Sequence, residues 1–327
     1  MKHSAKHITR GNIILLLLLV LALLLPFTGQ LYYVKLLTRM LIFAIAAISL
    51  DLLVGYMGLI SFGHAALMAV GAYSVGMLAS AGWSSVWVVW PIAMAVGGLF
   101  ALVIGAISLR CSGLYFIFIT LAFAQMLFYG AQSLRSYGGD DGFALDAPSA
   151  IGLGLDMSDS VVLFYTTLGL LLLVLYATHR LTKSPFGQVI IAGRDNEQRL
   201  ASIGVRSYGY QLLMFVISGA LCALSGALLA NLTGFIAPGY LAWIVSGELL
   251  VMVVLGSVGT LIGPVLGAMV YIGFEHALAD LTPHWMLIFG PLIVIRVLFL
   301  KDGLYGLVRG KSQTATSQKQ QVAGELI

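Results

Sequence analysis

Four ionisable side chains, Asp51, Glu248, Glu275 and Arg296, stand inside otherwise apolar stretches of this chain. A charge held in hydrocarbon is costly, so such residues are the first place to look for chemistry. Glu248 falls near the outer end of its apolar stretch. There a carboxylate either meets an incoming ammonium group or anchors the helix at the headgroups. Asp51, Glu248 and Glu275 would also serve as the coupling sites of an ion-driven carrier. The histidines, at 3, 7, 64, 179, 276 and 284, show no H-E-x-x-H or comparable metal spacing. His64 lies in the turn from Gly58 to Ala65, where it either orders that turn or lines a substrate path. Cys111 and Cys222 are isolated and imply no disulfide framework.

Other chemistry is excluded by what the motifs lack. Gly310-Lys311-Ser312 has the form of the end of a phosphate-binding loop, but the first glycine of that motif would fall on Tyr305, and no strand precedes it. The chain is therefore expected to bind no ATP itself. No cluster of polar catalytic groups marks an enzyme, and no cofactor or metal is called for. Glu275 and Arg296 invite pairing, yet their expected depths differ. At 1.5 Å per residue, Glu275 lies about 6 Å and Arg296 about 18 Å from the outer ends of their helices, so Arg296 is expected to snorkel inward instead.

The elements that hold these residues are membrane spans. Of the 327 residues, 60% are hydrophobic and only 9% charged, and the mean hydropathy is +1.01. A soluble surface needs far more charge than that. The expected fold is an all-α integral membrane protein, a polytopic bundle of about ten transmembrane helices, some broken or re-entrant. The candidate spans are 12–28, 36–54, 59–80, 86–108, 113–130, 161–178, 211–233, 245–260, 261–279 and 285–300. The short eighth span and the stretch from Gly256 to Pro264 point to an interruption. Lys2, Lys6 and Arg10 before an apolar core resemble a signal peptide, but no convincing cleavage site follows Leu25, so this segment is taken as an uncleaved first helix.

Charge placement orients the bundle. With both termini cytoplasmic, most of the 17 lysines and arginines fall inside, among them Arg110, Arg180, Lys183, Arg194, Arg199 and Arg206, whereas Lys35, Arg39 and Arg135 fall at or near the outside. The organisation is then a cytoplasmic N-terminus at 1–11, a transmembrane domain at 12–300 and a polar cytoplasmic tail at 301–327. An acidic loop, 131–160, lies outside and a basic loop, 179–210, lies inside. Gly97, Ala101 and Gly105, and likewise Gly259, Gly263 and Gly267, repeat at four-residue spacing, the pattern of close helix packing. A short internal echo links Leu52-Leu53-Val54-Gly55-Tyr56-Met57-Gly58 to Val253-Val254-Leu255-Gly256-Ser257-Val258-Gly259, as duplicated interrupted helices would.

The inside loop carries two helix starts. Ser184 and Pro185 are an N-cap followed by proline at the first helical position. Gly193 is expected to interrupt that helix, Asp195-x-x-Gln198 to start a second, and Gly204 to end it. Two short amphipathic helices held against the cytoplasmic face could transmit force from a partner, which a floppy loop could not. An ordinary surface loop is the alternative.

Several strings then resemble one family. Leu50-Asp51-Leu52-Leu53-Val54-Gly55-Tyr56-Met57-Gly58-Leu59-Ile60-Ser61-Phe62-Gly63-His64-Ala65 is similar to the signature of LivM-type permeases of branched-chain amino acid ABC importers. So are Gly113-Leu114-Tyr115-Phe116 with Gly138-Gly139-Asp140-Asp141-Gly142, and Glu248 to Gly256 running on through Gly259 to Ala268. Ser184-Pro185-Phe186-Gly187 leading to Asn196-Glu197 and Gly204 resembles that family's coupling loop, with Arg199-Leu200 where two small residues are usual. The resemblance implies a permease subunit in the inner (plasma) membrane of a prokaryote. Its partners would be two ATPase subunits, a homologous second permease and a periplasmic or extracellular solute-binding protein. By the same resemblance Ser184, Pro185, Gly187, Glu197 and Gly204 would form the ATPase-coupling loop, and Asp51, Ser61, His64 and Glu248 are candidates for the translocation path. Relatives of the same family for urea, amides or other small solutes, and an ion-coupled carrier, remain open alternatives.

Overall fold

A computed structural model of the chain describes residues 30–291, apart from 147, 153, 154, 280, 283, 285, 288 and 289. The span expected at 12–28, most of that at 285–300, Arg296 and the tail lie outside the described residues.

The described chain is all-α apart from short strand pairs in its loops. Helix α1 (Leu31–Asp51) runs directly into a π-helical turn (Leu52–Met57), and α2 covers His64–Ser80. The long helices α3 (Val86–Ser108), α4 (Leu114–Ser133) and α5 (Ser160–Lys183) follow. Two short helices, α6 (Pro185–Asp195) and α7 (Glu197–Ser202), precede α8 (Ser207–Thr233), α9 (Trp243–Gly256) and α10 (Gly263–Ala279). Among the described residues, five helices are long and apolar enough to cross a membrane, with the stretch from Leu31 to Met57 taken as one. Helices α2 and α9 are apolar but shorter.

Burial explains the arrangement. From Met40 to Asp51 every residue of helix α1 is buried, on all its faces, the mark of a central helix. Helix α8 lies beside it and packs against α2 and α3. The stripe Gly97–Ala101–Gly105 forms that last contact: Gly97 faces Ala223 and Gly219, and Gly105 faces Phe215 and Leu212. Phe215 also meets Phe116 of α4 edge to face, with centroids 6.3 Å apart. By contrast Tyr115, Phe118, Met126 and Tyr129 of α4, and Leu173 and Tyr176 of α5, are exposed. Large apolar side chains in that position suit lipid tails or a second membrane subunit.

Several helices start away from the expected residue, α1 at 31 rather than 36 and α8 at 207 rather than 211 among them. The starts of α2 and α10 share one reason. Helix α2 begins at His64 rather than 59, because the amides ahead of it find side-chain acceptors. Phe62 N–H donates to Thr120 Oγ1 at 3.2 Å, and Gly63 N–H to Ser61 Oγ at 3.2 Å. The second interruption, 257–262, separates α9 from α10. Thr260 Oγ1 there accepts from Gly263 N–H at 3.1 Å and donates to the Ser257 carbonyl at 2.9 Å. Gly259 thus belongs to no helix, so the expected stripe 259–263–267 is split. Gly263 and Gly267 let α10 approach the end of α9, while Gly259 faces Gly55.

The acidic loop 131–160 is tied down locally. Strand β1 (Phe143–Ala144) pairs antiparallel with β4 (Phe235–Ile236), and β2 (Ala150–Gly152) pairs with β3 (Leu155–Asp156). Asn231 Oδ1 accepts from Ser149 N–H at 2.8 Å, fixing this loop to the end of α8.

Candidate functional site

The two strings that echo each other in sequence meet in space. The π-helical turn ends at Met57 and leads into 58–63; α9 ends at Gly256 and leads into 257–262. Gly55 lies directly against Gly259, so closely that a Cβ on Gly55 would stand 2.4 Å from the Gly259 amide nitrogen and 2.5 Å from Asp51 Oδ1. Only hydrogen fits there. Asp51 closes the contact: it is 3% exposed, and its Oδ1 accepts from Gly259 N–H at 2.8 Å. An interruption inside a membrane frees backbone groups that need partners, and here one carboxylate supplies part of that need.

Above this joint sits a buried polar chain. His64 is fully buried, and its Nε2 lies 2.9 Å from Ser218 Oγ. Ser218 Oγ in turn donates to the Ser49 carbonyl at 2.5 Å. That assignment makes Nε2 the donor and gives the Nε2–H tautomer, with Nδ1 buried and without a partner among the described residues. Cys222 Sγ donates to the His64 carbonyl, and Ala65 N–H to Ser246 Oγ at 2.9 Å. Ser61 is buried beside this chain, its hydroxyl taken by Gly63 N–H. His64 and Ser61 therefore stand inside the bundle rather than at a surface turn.

The helix pair expected at 179–210 forms nearly as the sequence implied. Ser184 Oγ caps α6 by accepting from Gly187 N–H at 3.3 Å, with Pro185 at the first helical position. Two details differ. Helix α6 runs through Gly193 to Asp195, because Gly193 is buried against Leu200 and Ser207 rather than serving as a stop. The cap of α7 is Asn196, whose Oδ1 accepts from Arg199 N–H at 2.8 Å; Asp195 belongs to α6 and pairs with Arg194 at 3.2 Å. The departure at Arg199-Leu200 has a structural consequence, since Leu200 is the buried contact that closes the pair. Glu197, exposed, accepts from the Ser207 hydroxyl and so ties the pair to α8. The connection leaves α7 at Gly204 with φ of +86°, a conformation suited to glycine.

Glu248 lies apart from this joint. It is half-buried on α9, within electrostatic reach of Glu275 and Arg39. Arg39 Nη2 bonds both oxygens of Glu275 at 3.0 and 3.3 Å, joining α1 to α10. Nearby, Tyr32 bonds His276 Nε2 at 2.7 Å. Among the described residues, Glu275 thus pairs with Arg39. Matching depths could have found it, since the expected topology puts both residues near the outer ends of their helices. Arg194, which reaches Gly55, was missed for a different reason: nothing in a basic loop marks which guanidinium turns inward.

A bundle of long apolar helices with paired interruptions and an attached helix pair is a multi-pass membrane protein of the transport-permease kind. Residues 32–297 match the family model described as branched-chain amino acid transport system / permease component, and the chain belongs to that family. The high-affinity branched-chain amino acid transport system permease protein LivM of Salmonella typhimurium is 27% identical over 94% of this chain and 78% of its own length. Its Escherichia coli K12 counterpart is 28% identical over 92% and 76%. The autoinducer 2 import system permease protein LsrC of Photorhabdus laumondii is 31% identical, but over 41% of this chain and 42% of its own. No solved structure matches the chain.

Proposed function

We propose that this chain is the membrane-spanning permease subunit of an ABC importer, forms part of the path for branched-chain amino acids, and is driven by separate ATPase subunits. The observation that carries this reading is the capped helix pair α6–α7, packed between the π-helical turn and α8. The family match and the LivM relatives support the substrate class. Urea, amides or other small solutes are the same-family alternative, and the shorter likeness to an autoinducer permease illustrates how substrates vary among relatives.

In this reading about ten spans place both termini in the cytoplasm of a prokaryotic inner (plasma) membrane. The domain boundaries are 1–11, 12–300 and 301–327. Two ATPases dock on Ser184, Pro185, Gly187, Glu197 and Gly204. A second homologous permease completes the pore, and a solute-binding protein delivers substrate from outside. Asp51, Ser61 and His64 line or support the path, and Glu248, near the outer end of its helix, anchors or packs that helix beside it. A permease powered by ATPases needs no proton chemistry, so these groups act by structure or by orienting substrate.

The test uses proteoliposomes holding the assembled complex, with radiolabelled leucine as probe. Uptake should persist when the proton gradient is collapsed and ATP is supplied, and stop when ATP is withheld with the gradient intact. The opposite pattern would make the chain an ion-coupled carrier. Replacing Glu197 and Gly204 together should abolish uptake while the protein stays inserted.

A further inference from the structure

One guanidinium spans the boundary between the cytoplasmic helix pair and the membrane joint. Arg194, in the last turn of α6, donates through Nη1 to the Gly55 carbonyl at 2.5 Å. Its Nε and Nη2 hold Asp195 Oδ1 at 3.3 and 3.2 Å, and its aliphatic stem lies against Gly58. The final carbonyls of a helical segment have no donor within that segment, and Arg194 supplies one to the π-helical turn. Gly55 is also the residue that touches Gly259, whose amide is held by Asp51. The connection therefore runs without a gap from α6 to the first interruption and across to the second.

We propose that Arg194 is a positioning residue that ties the cytoplasmic helix pair to the paired interruptions, so that displacement of α6–α7 moves the 52–63 and 257–262 segments together. The proposal rests on the reading of that pair as the ATPase-docking element. Its parts suit the task. Arginine's planar fork bonds the Gly55 carbonyl and Asp195 at once, which fixes direction as well as distance; a lysine ammonium carries the charge without that fork. On the joint side, the Gly55–Gly259 contact leaves no slack for a side chain, and close-packed contacts pass on displacement rather than absorb it.

The experiment uses the full complex in proteoliposomes and reads leucine uptake and ATP hydrolysis separately. Arg194→Gln should still assemble with the ATPases and hydrolyse ATP. Its uptake per ATP should fall about tenfold or more, the order of an ordinary coupling between sites, and hydrolysis should no longer respond to the loaded binding protein. Arg194→Lys should fall between Gln and wild type. Arg180→Gln, which removes another exposed cytoplasmic charge, should match wild type. An unchanged ratio of uptake to hydrolysis in Arg194→Gln overturns the proposal. Should that variant fail to assemble, a wild-type ratio in Arg194→Lys overturns it equally. A wild-type complex with no ATP-driven uptake would instead defeat the importer reading, which keeps the two failures distinct.

Discussion

Asp51 Oδ1 accepts the backbone N–H of Gly259 at 2.8 Å, joining residues 208 positions apart at the point where two helices break. A single buried acid in the string Leu50-Asp51-Leu52 looks like a site for a coupled ion. The geometry instead gives it a backbone amide that a membrane helix would otherwise have satisfied. Asparagine keeps the accepting oxygen and removes the charge, whereas alanine removes both. Asp51→Asn should therefore retain wild-type thermal stability in detergent, and Asp51→Ala should lose about 1–3 kcal/mol for the orphaned amide. Equal losses in both variants would show that the charge, not the hydrogen bond, holds the joint.

The contrast between what the residues announced and what they hid follows from range. Helix α3 spans 86–108 as expected, since an apolar run bounded by polar residues is a local signal. The start of α2 was not legible, because Leu59 to Ala65 is apolar enough to continue a helix. What stops it is the hydroxyl of Thr120, 58 residues away, taking the Phe62 amide. The cap of α7 shifted by one residue for a local reason: Asp195 and Asn196 are both good caps, and Arg194 holds the first of them. The echo between 52–58 and 253–259 was visible as a pattern, but its meaning as a contact needed the fold.

His64 offers a second test. Its ring donates from Nε2 to Ser218, whose own hydroxyl donates a hydrogen bond to the Ser49 carbonyl, linking α2, α8 and α1. Glutamine carries an N–H donor of similar reach but no ring. His64→Gln should transport at near-wild-type rates from about pH 5 to about pH 8, the range in which an ordinary imidazole titrates. His64→Leu should lose stability by about 1–2 kcal/mol, because Ser218 then lacks its donor. A pH profile in wild type that vanishes in the Gln variant would give the ring a titrating role that the hydrogen-bond chain does not assign.

The Arg39–Glu275 pair joins α1 to α10 through both carboxylate oxygens, with side chains 43% and 23% exposed. Partial exposure reduces what the pair contributes, yet removing one member leaves the other charge in a largely apolar bundle. Arg39→Gln should lower thermal stability by about 1–2 kcal/mol, less than the cost of breaking a fully buried pair. Arg39→Gln combined with Glu275→Gln should recover much of that loss. A double variant as unstable as the sum of the two singles would show that the residues act independently.

Glu248 shares the field of the same arginine. Arg39 attracts it and Glu275 repels it, and Arg39 is already engaged by both Glu275 oxygens. A second carboxylate there competes for one cation, so neutralising it should relieve the pair rather than weaken it. Glu248→Gln should raise thermal stability by a few tenths of a kcal/mol, up to about 1, the usual range for a partly exposed charge interaction. Leucine uptake should keep its KM, because an anchoring or packing residue makes no contact with the substrate's ammonium group. The measurement pairs a melting curve with uptake at varied leucine concentration. A KM raised tenfold or more without loss of stability, a binding loss of about 1.4 kcal/mol, would move Glu248 from the frame of the bundle into the substrate path.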